Sequence, residues 1–123
     1  MIRGVIFTHV DLGHALRHAV EAFLGPQEEL ISLSNEGLGS EEMLRTLEEA
    51  VSEGGDGTII FSTLFGGSCW QTAERLRRQQ RRIRHLTGVN LPMLLAFVNK
   101  REKLGLDALA ELLVEYGRKG IQS

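Results

Sequence analysis

Residues Gly4 to Thr8, GVIFT, form an unbroken apolar and β-branched run that ends at His9. A strand with one wet face alternates polar and apolar residues. A strand lacking that alternation is buried on both faces, the condition met inside a parallel sheet covered by helices. The rest of the chain fits this constraint. Leu30 to Leu33, Thr58 to Thr63 (TIIFST) and the stretch near Arg84 to Val89 are further short runs of strand character, separated by amphipathic segments. Leu12, Leu16, Ala19 and Phe23 predict the inner stripe of a first helix, ended by Gly25-Pro26. Ser40 as N-cap, with Glu41 and Glu42 in the first turn, predicts a second helix burying Leu44, Leu47 and Val51. Gly54-Gly55-Asp56-Gly57 reads as the turn into the third strand.

Gly66-Gly67-Ser68 opens a third helix with an inner stripe of Cys69, Ala73, Leu76 and Ile83, and Pro92 occupies the first turn of a fourth. A fifth runs from about Asp107 to Tyr116, with Gly117 as its stop and Arg118 to Ser123 as one more short strand. The predicted fold is a doubly wound three-layer α/β sandwich, read as one domain over 1–123. Its central parallel sheet has the order 2-1-3-4, and the short C-terminal strand is exchanged or paired in a dimer.

Composition narrows the classes. One cysteine among 123 residues excludes an internal disulfide framework and a cysteine-built zinc site, and fits a reducing compartment. No apolar run approaches the roughly 20 residues that span a bilayer, and the start lacks a signal peptide's long apolar core, so the chain is read as cytoplasmic. Residues 1–56 carry 11 acidic and 3 basic side chains, and residues 57–123 carry 5 and 11. The basic cluster Arg75 to His85 lacks the aromatic platforms of a nucleic-acid surface, so no nucleic-acid partner is expected. The acidic second helix (Glu41, Glu42, Glu48, Glu49, Glu53) lying beside the basic third explains the split as surface ion pairing.

In an open parallel sheet the functional crevice lies beyond the carboxyl ends of the strands, where strand order reverses. His9 and Asp11 follow the first strand and Thr63 to Ser68 follow the third, so the two loops face each other. Gly66-Gly67-Ser68 leading into a helix presents backbone N–H groups and a positive dipole end, an anion site. A neutral imidazole nitrogen facing it is suited to carrying a phosphoryl group. His14 and His18, four apart, have metal-compatible spacing without a third ligand, and read as a solvated face. Cys69 at a helix start has a nucleophilic reading, but it also falls on the buried stripe.

Six segments carry a family resemblance: FTHVDLGHAL (Phe7–Leu16), FLGPQEEL (Phe23–Leu30), GDGTIIF (Gly55–Phe61), TLFGGS (Thr63–Ser68), GVNLPMLL (Gly88–Leu95) and GRKGI (Gly117–Ile121). In this order the chain resembles the mannose-type enzyme IIA domain of the bacterial phosphoenolpyruvate-dependent sugar phosphotransferase system. The resemblance implies that His9 is phosphorylated on Nε2 by the histidine phosphocarrier protein HPr and passes the group to an enzyme IIB partner. It implies no metal or organic cofactor, a homodimer joined through the C-terminal strand, and membrane association only through transporter subunits. The chain departs from the family at three places. Thr63 stands where the family has an aspartate supporting the histidine, Val10 where it has glycine, and Ser68-Cys69-Trp70-Gln71 where it has Ser/Thr-Pro-x-Asn. Thr63 is expected to orient His9, Asp11 is the other carboxylate at hand, and Gly66, Gly67 and Ser68 are expected to bind phosphate. The alternative is a phosphorylation-impaired regulatory or interaction module on the same fold.

Overall fold

The computed structural model describes residues 1–51 and 55–123. Gly54 of the expected turn and Glu53 of the expected acidic face lie outside the described residues. Four strands, β1 (Arg3–Thr8), β2 (Leu30–Ser34), β3 (Thr58–Phe61) and β4 (Ile83–Leu86), alternate with helices α1 (Leu12–Leu24), α2 (Ser40–Ala50) and α3 (Ser68–Gln79). Helices α4 (Leu91–Lys100) and α5 (Leu106–Lys119) follow. All pairings are parallel and the order is β2-β1-β3-β4, as expected.

Alternation along the central strands divides the core in two. Ile6, Ile59 and Phe61 point into a cluster with Val20 of α1, Leu94 and Phe97 of α4 and Leu113 of α5. Val5, Phe7 and Ile60 point into the other, with Leu47 of α2 and Cys69, Ala73 and Leu76 of α3. Phe97 lies directly over Gly4, where a Cβ would stand 2.7 Å from its ring, and meets Phe61 edge-on at 5.3 Å. Only glycine lets that ring approach β1.

Several sequence expectations change. On α1 the buried residues are Gly13 and Val20, whereas Leu12 and Phe23 are exposed. The stripe is rotated by about one position, because Gly13 packs against Thr8 and contributes no apolar signal. Ile83 of the expected α3 stripe belongs to β4. Gly117 does not stop α5; it is buried within it, where a Cβ would meet Met93 Cε at 2.8 Å. Asn90 links these elements. Its Oδ1 accepts from Met93 N–H and caps α4, while its Nδ2 donates to Gly117 C=O at 2.8 Å. The segments GVNLP and GRKG are thus two halves of one helix contact. The expected tail strand is the last turn of α5 as far as Lys119, and residues 120–123 join no strand. No helix among the described residues is long and apolar enough to cross a membrane.

Among the described residues the acidic–basic pairing is found in one place across α2 and α3, Arg75 to Glu41 at 3.0 Å. Elsewhere Arg77 pairs with Glu74 of its own helix and Arg84 with Asp107 of α5.

Candidate functional site

Helix α1 packs on one face of the sheet and α2 on the other, so β1 and β3 flank the point where the connections diverge. The turn after β1 is held by Thr8, whose buried Oγ1 accepts the Gly13 N–H at 2.6 Å. A Cβ on Gly13 would stand 2.8 Å from that oxygen, so glycine is what lets α1 start so close to the strand end. Between Thr8 and Gly13 the chain turns through Val10 at φ 53°, a left-handed conformation costly for a β-branched residue.

His9 is half-buried at the head of this turn. Register explains its neighbour. Thr8 pairs with Ser34, and the Asn35 N–H continues the ladder to Thr8 C=O at 3.1 Å, so the next residue on each strand, His9 and Asn35, stand side by side. Asn35 Nδ2 donates to His9 Nδ1 at 3.0 Å and reaches Ser68 Oγ at 3.4 Å. The Val10 N–H can only donate, and it donates to Asn35 Oδ1 at 3.2 Å, which orients the amide. Sequence reasoning missed Asn35.

The other ring nitrogen, Nε2, is buried and has no hydrogen-bond partner among the described residues. It is aimed at the turn before α3: a Cβ on Gly67 would stand 3.0 Å from it. Gly66 adopts φ 83°, which favours glycine. The Gly67 N–H is engaged by Leu64 C=O at 3.0 Å, so it is not a free donor. The open donors are those of the first turn of α3, which begins at Ser68, with Gly67 as N-cap. Val10, Leu64 and Phe65, exposed to 53%, 61% and 75%, form an apolar rim.

The structure therefore brings His9, Gly67 and Ser68 together, with Gly66 in the turn beside them. Thr63 does not hold the ring: Asn35 occupies Nδ1, and Nε2 is unpartnered among the described residues. For the same reason Asp11 supplies no carboxylate to either nitrogen. Cys69 is 1% exposed and its thiol is pushed up to about 11 by burial, so it is packed rather than nucleophilic. His14 Nδ1 sits 2.6 Å from Ser32 Oγ.

A second polar chain lies behind α3. Ser62 Oγ is 2.7 Å from His85 Nε2, and His85 Nδ1 is 2.7 Å from Glu74 Oε2. Burial pushes the His85 ring down despite the carboxylate beside it. The neutral ring donates Nδ1–H to Glu74, and its Nε2 faces the Ser62 hydroxyl, which also meets Thr87 Oγ1 at 2.9 Å. The order of groups is that of a hydrolytic triad, but Ser62 is 0% exposed, so no substrate reaches it. The chain instead ties β3 and β4 to α3.

Fold and site together define a doubly wound α/β protein with an imidazole and a glycine turn at its topological switch point. The family model for the PTS system fructose IIA component, EIIA-man, matches residues 4–114, and the chain belongs to that family. It is a component of the phosphotransferase system of enzyme IIA type, as the sequence motifs imply. The structure is similar to that of phosphotransferase system component EIIA from Streptococcus agalactiae, with TM-score 0.93 and 22% identity over 100% of this chain and 97% of that one. It is similar to the PTS IIA protein associated with the fucose utilization operon of Streptococcus pneumoniae (0.87, 18%, covering 99% and 92%). It is similar also to the mannose/sorbose specific IIA subunit of Enterococcus faecalis (0.83, 18%, covering 98% and 92%). At these identities the likeness is one of fold. No curated protein sequence matches the chain.

Proposed function

We propose that this chain is a histidyl phosphocarrier, accepting a phosphoryl group on His9 Nε2 from HPr and passing it to an enzyme IIB protein. One observation carries the reading: Nε2 is unpartnered among the described residues and aimed at the glycine turn that opens α3, while the opposite ring nitrogen is held. A lone pair on Nε2 attacks phosphorus in line with the bond to the donor's nitrogen, which departs with its electron pair. The N–H groups of the first turn of α3 take up charge on the phosphoryl oxygens. The apolar rim of Val10, Leu64 and Phe65 suits a protein donor that excludes water during transfer. Incubation with labelled phosphoenolpyruvate, enzyme I and HPr is expected to place an acid-labile phosphate on the wild type and none on His9→Ala. An unlabelled wild type, under conditions that label an ordinary enzyme IIA, overturns the reading.

A second reading, a regulatory module on the same fold, is favoured by one feature: a donor amide, not a carboxylate, faces His9 Nδ1. It predicts binding to a partner that is unchanged in His9→Ala.

A further inference from the structure

We propose that Asn35 is a positioning residue that keeps His9 Nδ1 unprotonated, placing the neutral ring's proton on Nε2 and making the phosphorylated ring long-lived. The lifetime half of this inference rests on the phosphocarrier reading above; the tautomer half does not.

The proposal starts from bookkeeping of donors and acceptors. A neutral imidazole has one N–H and one lone pair. Asn35 Oδ1 is committed to the Val10 N–H, so the group facing His9 Nδ1 at 3.0 Å is an amide N–H. Two donors cannot face each other, so Nδ1 presents its lone pair and the proton resides on Nε2. The Val10 N–H reaches Oδ1 because Val10 is held at φ 53°. The resting Nε2–H is buried with no acceptor among the described residues, a cost that a phosphoryl oxygen arriving at the glycine turn removes.

Attack on phosphorus needs the Nε2 lone pair, so the proton must first leave Nε2, either to solvent or, by exchange, to Nδ1. From the Nδ1–H tautomer, the Nε2–P bond forms as the donor's N–P bond breaks, its electron pair going to the donor nitrogen. The ring is then a cation bearing Nδ1–H, and that proton passes to water. What remains is a neutral phosphoimidazole whose Nδ1 lone pair matches the Asn35 donor. The reverse direction reverses the accounting. When the Nε2–P bond breaks, its electron pair returns to Nε2. If Nδ1 carries a proton the departing ring is a neutral imidazole, a good leaving group. If it does not, the departing ring is an imidazolate, a poor one. A carboxylate at this place would accept an Nδ1–H, whereas the Asn35 N–H is itself a donor and gives Nδ1–H no acceptor. Both loading and unloading are therefore slow, and the modification behaves as a stored mark.

Asn35→Asp tests this with little change of shape. One carboxylate oxygen still accepts the Val10 N–H, the other accepts a hydrogen bond from Nδ1–H, and the Ser68 hydroxyl donates to it. Two measurements are made on the full chain. The ¹⁵N resonances of the His9 ring are expected to show an unprotonated Nδ1 and a protonated Nε2 in the wild type, exchanging roles in Asn35→Asp. Phosphoramidate, an inorganic N–P donor, is used to load His9 without protein partners. Hydrolysis of the resulting phosphohistidine at neutral pH is expected to be about tenfold faster in Asn35→Asp than in the wild type. Asn35→Ala, which leaves Nδ1 to water, is expected to fall between them. A wild-type ring protonated on Nδ1 overturns the proposal, as does equal phosphohistidine lifetime in wild type and Asn35→Asp. If neither phosphoramidate nor HPr loads His9 in any variant, the phosphocarrier reading fails and the lifetime half with it, while the ring resonances still decide the role of Asn35.

Discussion

Gly67→Ala isolates the contact on which the phosphoryl site depends. The backbone at Gly67 has φ −71° and ψ 174°, an extended conformation that alanine adopts without strain. The added methyl carbon would stand 3.0 Å from His9 Nε2 and 3.3 Å from Leu64 C=O. The half-buried ring can yield a few tenths of an ångström, and the lost flexibility of the unfolded chain offsets part of the crowding. Stability is therefore expected to stay within about 1 kcal/mol of the wild type. Reactivity does not escape in the same way, because a bonded phosphorus sits far closer to nitrogen than any van der Waals contact and needs the volume the methyl fills. Holding phosphorus about 1 Å short of its bonding position costs about 10²-fold in rate. The assay pairs a thermal melt with the initial rate of His9 labelling through HPr. Labelling at the wild-type rate refutes the reasoning, since it means that Nε2 does not meet Gly67 in the reactive state. Gly66→Ala offers the opposite balance: nothing crowds its Cβ, but φ is 83°, so it is expected to lower stability by about 1 kcal/mol.

Val10→Gly relieves left-handed strain at an exposed position and is expected to raise stability by up to about 1 kcal/mol in urea unfolding, after the entropy of the added glycine is subtracted; clear destabilisation contradicts the strain account. Cys69, buried and with its thiol raised to about 11, is expected to resist alkylation at neutral pH in the native protein and to react on unfolding. Rapid native alkylation dismisses the packing role. Acid is expected to weaken the protein in two stages. His85 is harder to protonate folded than unfolded, so its contribution is full above about 6.5 and is lost as pH falls below that value. Glu74 is held at about 2 by Arg77 and His85 against burial, so its contribution is present above 4.5 and is lost on descent towards 2. Screening at the partly exposed Arg77 limits the second stage to about 1–2 kcal/mol. Urea titrations at stepped pH read both, and an unchanged acid limb in Glu74→Gln refutes the assignment.

Much of the architecture was legible because the central strands state it locally. GVIFT and TIIF read as strands buried on both faces, and the order of the connecting helices points to the switch point where His9 and the glycine turn meet. What was not legible depended on register. Asn35 is 26 residues from His9, and only the pairing of Thr8 with Ser34 places them together. The signal was there in the short β2 followed by an asparagine, since residues just past adjacent parallel strands are neighbours. The family resemblance assigns the orienting role to Thr63, which stands where the family has an aspartate, yet the ring is held from the β2 side. A glycine at 117 has two structural uses, as a helix stop or as a close helix contact, and the contact with Met93 that selects the second is tertiary.

The six residues of β1 cover about 20 Å and place Met1 and His9 at opposite rims of the sheet. Around the rim nearer Met1, the guanidinium of Arg101 gathers the carbonyls of Ile2, Glu28 and Glu29. A probe or surface anchored at the amino terminus therefore leaves the imidazole side uncovered. An immobilised sensor coated this way presents every molecule in the same orientation to a soluble protein passing over it.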